Sequence, residues 1–531
     1  MLTLLGSWPV VHAKNLLERL HTYDVLHYEL EVAQEAAGLR VRGEIELQIR
    51  RQAPLRFLIS PSISGLQARI SGRPATVRLG AGDLAPFEKL IRGLGPAARH
   101  APTLMTVTSE IKKSAGQRLT LEVSYLWTPP ENGFAYADER GVQTHLTSFW
   151  YPLMADELFT STLKIKPLRA GDTVLATGSH TGTSEDGWHT FGGKQKQQLL
   201  AVFIGDVEHH AGSVPVYGKT QKGLVEDVAA VTALLERWFG RSGSGSFALV
   251  VEPRSRPAPS FCAGSFVVLH LPPSSARWAP EFRLSLLAHE CAHRWWGHRV
   301  PTTVVGDGGT WLREGLAEWT AHRIVREMLG EEEARRLTER IRKFYFRKAD
   351  LRRTVRDPNI VYANEPSLID ATYIDPPRLP YYKGALVHAF LEWRLGDRKF
   401  LEGLRRFAGT RAGRFSNPED FYFAFGASDR VLAQVRYFAG TNRLPDLVLE
   451  DAKIDDGRAE ITVSCLDPTW PDGPVLCRFI GASGTVDTIA TLIDGKAQVK
   501  WSGAGRVRRI VVDPDRILLD PDPTNNVWPR E

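Results

Sequence analysis

The chain has 531 residues, 43% of them hydrophobic and 24% charged, with a formal charge of +6. That describes an ordinary globular protein with material for several cores, and it excludes a disordered or low-complexity chain. The basic residues are dispersed, no nucleic-acid module is readable, and no apolar stretch reaches the ~18 residues of a membrane span.

The opening "MLTLLGSWPVVHAKN" has a short apolar core and a Val-x-Ala ending at residues 11–13, like the tail of a signal peptide, but lacks the basic region before it. Either the start lies upstream and the protein is exported, or Met1 opens an apolar segment that packs on the first domain. Export to a periplasm-like compartment is slightly favoured over the cytoplasm. Residues from about 22 to 208 alternate apolar and polar positions, as in "VLHYELEV", "GEIELQI" and "RLTLEVSYLW", with turn residues between. Residues 1–210 therefore read as a large antiparallel β domain.

From about 215 the pattern changes. "LVEDVAAVTALLERWFG" is an amphipathic helix, followed by the strand "FALVVEP"; helices then dominate to about 443, giving an α/β domain over 211–445. Within it, "SFVVLHL" reads as a half-buried strand. The stretch "RKFYFRKADLRRTVR" (342–356) is basic enough to attract acidic ligands, though such runs are more often a solvated helix face. Past "NRLPDL" strands return, and 446–531 suit a small β-sandwich. Cys465 and Cys477 fall in this last part and could pair in an oxidising compartment.

The chemistry is concentrated in "LLAHECAHRWWGH". His289 and His293 are four apart and share one helix face, so their imidazoles can meet at one point. Glu290 sits about a quarter-turn away, placed to reach a metal-bound water without being a ligand. Leu284, Leu286 and Leu287 before the motif, and Trp295 and Trp296 after it, make the segment apolar enough to be buried. Buried Glu and His need partners. The run "TWLREGLAEWTAHRIV" from Thr310 reads as a second helix, with Glu314 and Glu318 on one face. Glu314 completes a His2Glu zinc site with the fourth position open. Glu318, one turn on, is placed to accept an N–H from a ligating histidine. Cys291 lies off the ligand face, and His298 is a structural histidine.

HECAHRWWG followed by WLREGLAEW resembles the aminopeptidase N and leukotriene hydrolase family of gluzincin metallopeptidases. "LPYYKGALVHAFLEWRLGD" is similar to the family segment whose tyrosine donates to the developing oxyanion, which would be Tyr381 here. The resemblance implies His289, His293 and Glu314 as ligands of one zinc ion and Glu290 as general base. It extends, more loosely, to "YDVLHYELEV", "RVRGEIELQI", "SFWYPLMADELF" and "VVDPDRILLDPDPTNNVWP". It implies a thermolysin-like catalytic domain between an N-terminal β domain and a C-terminal β-sandwich, a multidomain α+β chain. The family's large C-terminal helical domain is missing from this sequence, so a more open site is expected.

Three features depart from the family. The spacer between His293 and Glu314 is slightly long, with the excess at Gly306, Gly308 and Gly309, and Arg313 stands where Asn is common. The family's loop glutamate, which holds the substrate's amine, has no counterpart in "PAPSFCAGSFVVLHLP"; no acid lies between Glu252 and Glu281. Asp138, Glu139 and Gln143 are candidates to replace it. By resemblance "SFVVLHL" would be the edge strand on which a peptide lies extended. The expected function is a zinc-dependent metallopeptidase that uses Glu290 to activate water, with aminopeptidase action first. A different peptidase specificity comes second, and a non-catalytic zinc-binding scaffold third. Its partner is a peptide substrate.

Overall fold

The computed structural model describes residues 22–80, 102–111, 113–131, 134–154, 156–243, 245–252, 258–272, 274–275, 278–303, 308–346, 366–371, 378–503 and 505–529. The signal-like start, Gly306 and the basic run beyond residue 346 lie outside them.

Alternation in the first part becomes a β domain. The strand Arg118–Trp127 buries every second residue, ending at Tyr125 and Trp127, because successive side chains point to opposite faces. An eight-stranded sheet forms its body. Most of its pairings are antiparallel, but Tyr23–Glu35 runs parallel to Phe159–Lys166, with His27 opposite Thr160. A four-stranded sheet carrying Tyr136–Asp138 and Gly141–Gln143 faces the catalytic region. There Ala201 and Phe203 pack on Val250, Phe261, Phe266 and Val268 in a small core of their own.

The catalytic region combines a five-stranded sheet with helices α1 (Leu224–Phe239), α2 (Pro280–Ala292), α3 (Gly309–Leu329), α4 (Glu331–Tyr345), α5 (Gly384–Leu395), α6 (Asp397–Thr410), α7 (Pro418–Phe425) and α8 (Asp429–Gly440). Helix α2 starts at Pro280, whose fixed φ suits a first helical position, with Glu281 in the first turn. In the sheet, Phe266–Leu269 lies between Ala248–Val251 and Phe261–Cys262. This corrects the expected edge: the "SFVVLHL" strand is internal, and the edge is Phe261–Cys262. Phe266 to Leu269 are all buried because both faces of the sheet are covered: Val267 and Leu269 join the main core, Phe266 and Val268 the smaller one.

The C-terminal strands form a three-stranded and a four-stranded sheet. Cys465 ends a strand of the first, Cys477 sits inside the second, and both are free thiols. The two thiols are not joined in this structure. The apolar core is continuous from the catalytic helices into this sandwich: Trp470 packs on Tyr437 and Phe438 of α8 with ring centroids 4.9 and 5.0 Å away.

One crossing positions the site. Gly315 of α3 and Gly384 of α5 meet backbone to backbone, and a Cβ on Gly315 would lie 2.9 Å from the carbonyl carbon and Cα of Gly384. Just before Gly384 the chain makes a π-helical turn, Arg378–Lys383, which carries Tyr381. Gly315→Ala should cost about 1–3 kcal/mol through overpacking, read as a lower thermal midpoint in calorimetry. Gly409→Ala, whose Cβ would meet no atom within 4 Å, serves as the control; an equal loss there would remove the close-approach explanation.

Candidate metal centre

His289 and His293 end α2, and Glu314 comes from α3, which packs against it. His293 caps the helix in α conformation, so the i,i+4 geometry holds to the last residue. The two imidazole rings are 4.8 Å apart and nearly perpendicular. The Nε2 atoms of His289 and His293 lie 3.1 Å from each other, and each lies 3.3 Å from Oε2 of Glu314. All three residues are buried.

The other ring nitrogens fix the tautomers. His289 Nδ1 lies 3.0 Å from Oε2 of Glu318, and His293 Nδ1 lies 3.0 Å from the carbonyl oxygen of Trp296. A carboxylate and a carbonyl only accept, so both Nδ1 atoms donate and the neutral rings present bare lone pairs at Nε2. Two lone pairs and a carboxylate oxygen thus converge in a dry site. Their spacing is close to the ~3.3 Å edge of a tetrahedron whose centre lies 2.0–2.1 Å from each corner, the zinc–ligand distance. The donor set fits zinc, with one corner left open.

The electrostatics agree. Burial opposes charge on His289, yet Glu314 and Glu318 raise its pKa well above the ordinary value. Burial likewise opposes charge on Glu314 and Glu318, but the histidines hold both carboxyls well below the usual range. The pocket is built to compensate positive charge. Glu290, buried beside the ligands, is pushed up by burial, with the neighbouring histidines pulling the other way. The Tyr381 ring stacks on His289 at 5.7 Å and 14°.

Other candidates fall elsewhere. His298 donates from Nε2 to the carbonyl of Cys262 at 3.0 Å, and burial, followed by the Arg313 charge, lowers its pKa to about 3. It braces the edge strand. Cys291 is a fully buried free thiol. Asp138 accepts from the backbone of Arg140 at 2.8 Å, and Glu139 is exposed. Gln143 is fully buried, its amide 3.1 Å from His270 Nε2 where the inner strand ends. Next to it the His145 ring packs edge-on against Phe261 at 5.1 Å. The N-terminal domain therefore reaches the end of the inner strand through Gln143 and the edge strand through His145, two neutral contacts.

Two residues to which the sequence assigned no role make buried polar contacts. Arg313 is buried, with Nε 3.7 Å from the other carboxylate oxygen of Glu314. Its adjacency to Glu314 was the available signal. Glu252 is buried and accepts from the Tyr136 hydroxyl at 3.1 Å, a partner far away in sequence. In the acid-free loop, Gly264 has φ +81°, and a Cβ there would lie 3.2 Å from His298 Nδ1.

Residues 265–438, about a third of the chain, match the family model described as the Peptidase family M1 domain. This segment is an M1 peptidase domain. The chain carrying it is a zinc metallopeptidase, and the M1 domain contains all three converging ligands. Solved structures give the same architecture. A mutant of the M1 zinc metallopeptidase from Deinococcus radiodurans, bound to a Tyr-Ser-Ala substrate, is 19% identical with a TM-score of 0.55; the match covers 80% of this chain and 96% of that one. The M1 zinc metallopeptidase of the same organism, without the mutation, is 18% identical over 80% of this chain and 95% of that one, also at 0.55. Legionella pneumophila aminopeptidase A in complex with aspartic acid is 15% identical with a TM-score of 0.69, covering 94% of this chain and 59% of that one. At these identities the likeness establishes the fold. No curated protein matches the sequence.

Removing an acceptor behind a ligating histidine typically costs 10–100-fold in metal affinity. Glu318→Ala should therefore weaken zinc binding by about that factor, measured by chelator competition; unchanged affinity would detach Glu318 from the centre.

Proposed function

We propose that this M1 metallopeptidase hydrolyses peptide bonds with Glu290 as general base and Tyr381 as oxyanion donor, acting first of all as an aminopeptidase. The observation that carries the reading is the convergence of His289 Nε2, His293 Nε2 and Glu314 Oε2 at 3.1–3.3 Å, with Glu290 and Tyr381 beside them. Zinc held by these three residues supplies Lewis acidity and brings the pKa of a water to about 7.

The chain's own residues do the rest. Glu290 follows His289 directly and is a buried carboxylate, so it can take a proton from the attacking water and return it to the leaving amine. Tyr381, its ring stacked on His289, would supply a hydroxyl to the tetrahedral oxyanion, a donor worth roughly 3–4 kcal/mol. Glu318 holds His289 in one tautomer and orientation. The outward-facing edge Phe261–Cys262 offers backbone for an extended peptide, with sequence-tolerant affinity.

A second specificity is supported by the loop. A buried ammonium without a paired carboxylate costs several kcal/mol, and the described residues of 258–272 contain no acid. Gln143 and His270, neutral groups, occupy the end of the inner strand. Substrates with blocked or extended N-termini meet no charge requirement at this loop.

Glu290→Gln should retain zinc while turnover falls by about 10²–10⁴-fold; a fully active variant would dismiss Glu290 as the base. Tyr381→Phe should slow turnover by about 10²–10³-fold with inhibitor binding intact, and unchanged turnover would take Tyr381 out of the mechanism. Comparing one peptide with a free and an acetylated N-terminus decides the specificity. Strong preference for the free amine supports the aminopeptidase, whereas equal cleavage rules out an amine-anchored exopeptidase.

A further inference from the structure

A cleft of about 240 Å³ opens between α3, α4 and α5. Its floor is apolar, made by Ile341, Ala385, Leu386 and Ala389. Its rim is cationic, but most of that charge is already compensated. Arg323 and Arg326 reach Glu392 at 2.9 and 3.0 Å, and both also face Asp397. Arg335 pairs with Glu332 at 2.8 Å. Glu331, the other lining acid, stands 3.9 Å from Arg326.

Arg342 is different. Its side chain makes no hydrogen bond or ion pair among the described residues, and its Nε is buried without a partner. Burial lowers its pKa, with Asp513, Asp515 and Glu339 compensating only from a distance and Arg516 opposing them. An unpaired guanidinium beside an apolar floor matches an anion with a short hydrocarbon tail, since Arg binds carboxylates through parallel N–H donors. Arg342 also opens the basic run singled out in the sequence.

One cleft residue reaches the metal centre through an ion-pair contact rather than a hydrogen bond. His322 lines the cleft, with Nδ1 3.3 Å from the Thr338 hydroxyl and Nε2 3.5 Å from Oε1 of Glu318. The other oxygen of Glu318 is the one that holds His289 at 3.0 Å.

We propose that the α3–α4–α5 cleft binds a small aliphatic carboxylate at Arg342, and that this site is coupled to the zinc ligand His289 through His322 and Glu318. The site stands on the cleft alone; the coupling rests on the zinc reading above. An added negative charge near a dication favours its retention, and by reciprocity zinc strengthens carboxylate binding.

The test titrates sodium butanoate into the full chain, zinc-loaded and zinc-stripped, at constant ionic strength set with chloride. Saturable one-site binding is expected in both forms, about ten-fold weaker in Arg342→Gln and largely retained in Arg342→Lys. Equal melting temperatures for the variants show that the fold is intact. Saturating butanoate should tighten zinc binding about five-fold in chelator competition. Absence of saturable binding, or Arg342→Gln binding like the native chain, overturns the site. Butanoate binding with zinc affinity unchanged overturns the coupling. Because the zinc-stripped chain is also titrated, failure of the zinc assignment is seen separately.

Discussion

The arrangement depends on holding three electron pairs close together in a pocket nearly closed to bulk solvent. Two imidazole nitrogens and a carboxylate oxygen at 3.1–3.3 Å repel one another unless a cation lies among them. Everything nearby keeps that repulsion in place. The Trp296 carbonyl and Glu318 pin the protons to the far nitrogens, and burial removes the solvent that would relax them. The close contact of Gly315 and Gly384 fixes the helix bearing Glu314 against the turn bearing Tyr381. The fold supplies the positions, and the cation supplies the reason they are stable.

Much of this was legible from local spacing. Two histidines four apart require only a helix to face one point, and Glu314 and Glu318 required a second. The chain met both conditions, and Glu318 sits behind His289 as the one-turn offset implied. What could not be read was set by pairing across the chain. The two-residue edge Phe261–Cys262 is too short to leave a periodic signal, while the more apolar Phe266–Leu269 run looked like the better strand and is internal. Its unbroken hydrophobicity was the clue that both of its faces are covered, as an inner strand's are here. Cys465 and Cys477 are close in sequence but are carried by different sheets, which no count of cysteines reveals. Tyr136 and Glu252 meet only because the N-terminal sheet docks on the catalytic one.

Arg313 shows how a substitution beside a motif can be underrated. As a position that is not a ligand it looked neutral, yet its buried guanidinium stands 3.7 Å from one oxygen of Glu314 while the other oxygen faces both histidines. The carboxylate is thereby divided between the histidine pair and a cation built into the chain. The same charge bears on Glu290 and lowers the pKa of His298 after burial has done so, linking the edge strand to the centre.

The core shared by the helices and the terminal sandwich has a consequence for how the molecule comes apart. Trp470 is clamped between the sandwich and α8, and the same apolar cluster continues to Trp311 beside the ligand Glu314. Opening either part exposes the other, so the two behave as one cooperative unit. A ligand that binds only the native state stabilises every residue in the unit it belongs to. Zinc seated among three side chains of α2 and α3 therefore slows amide exchange in sandwich strands that never touch it.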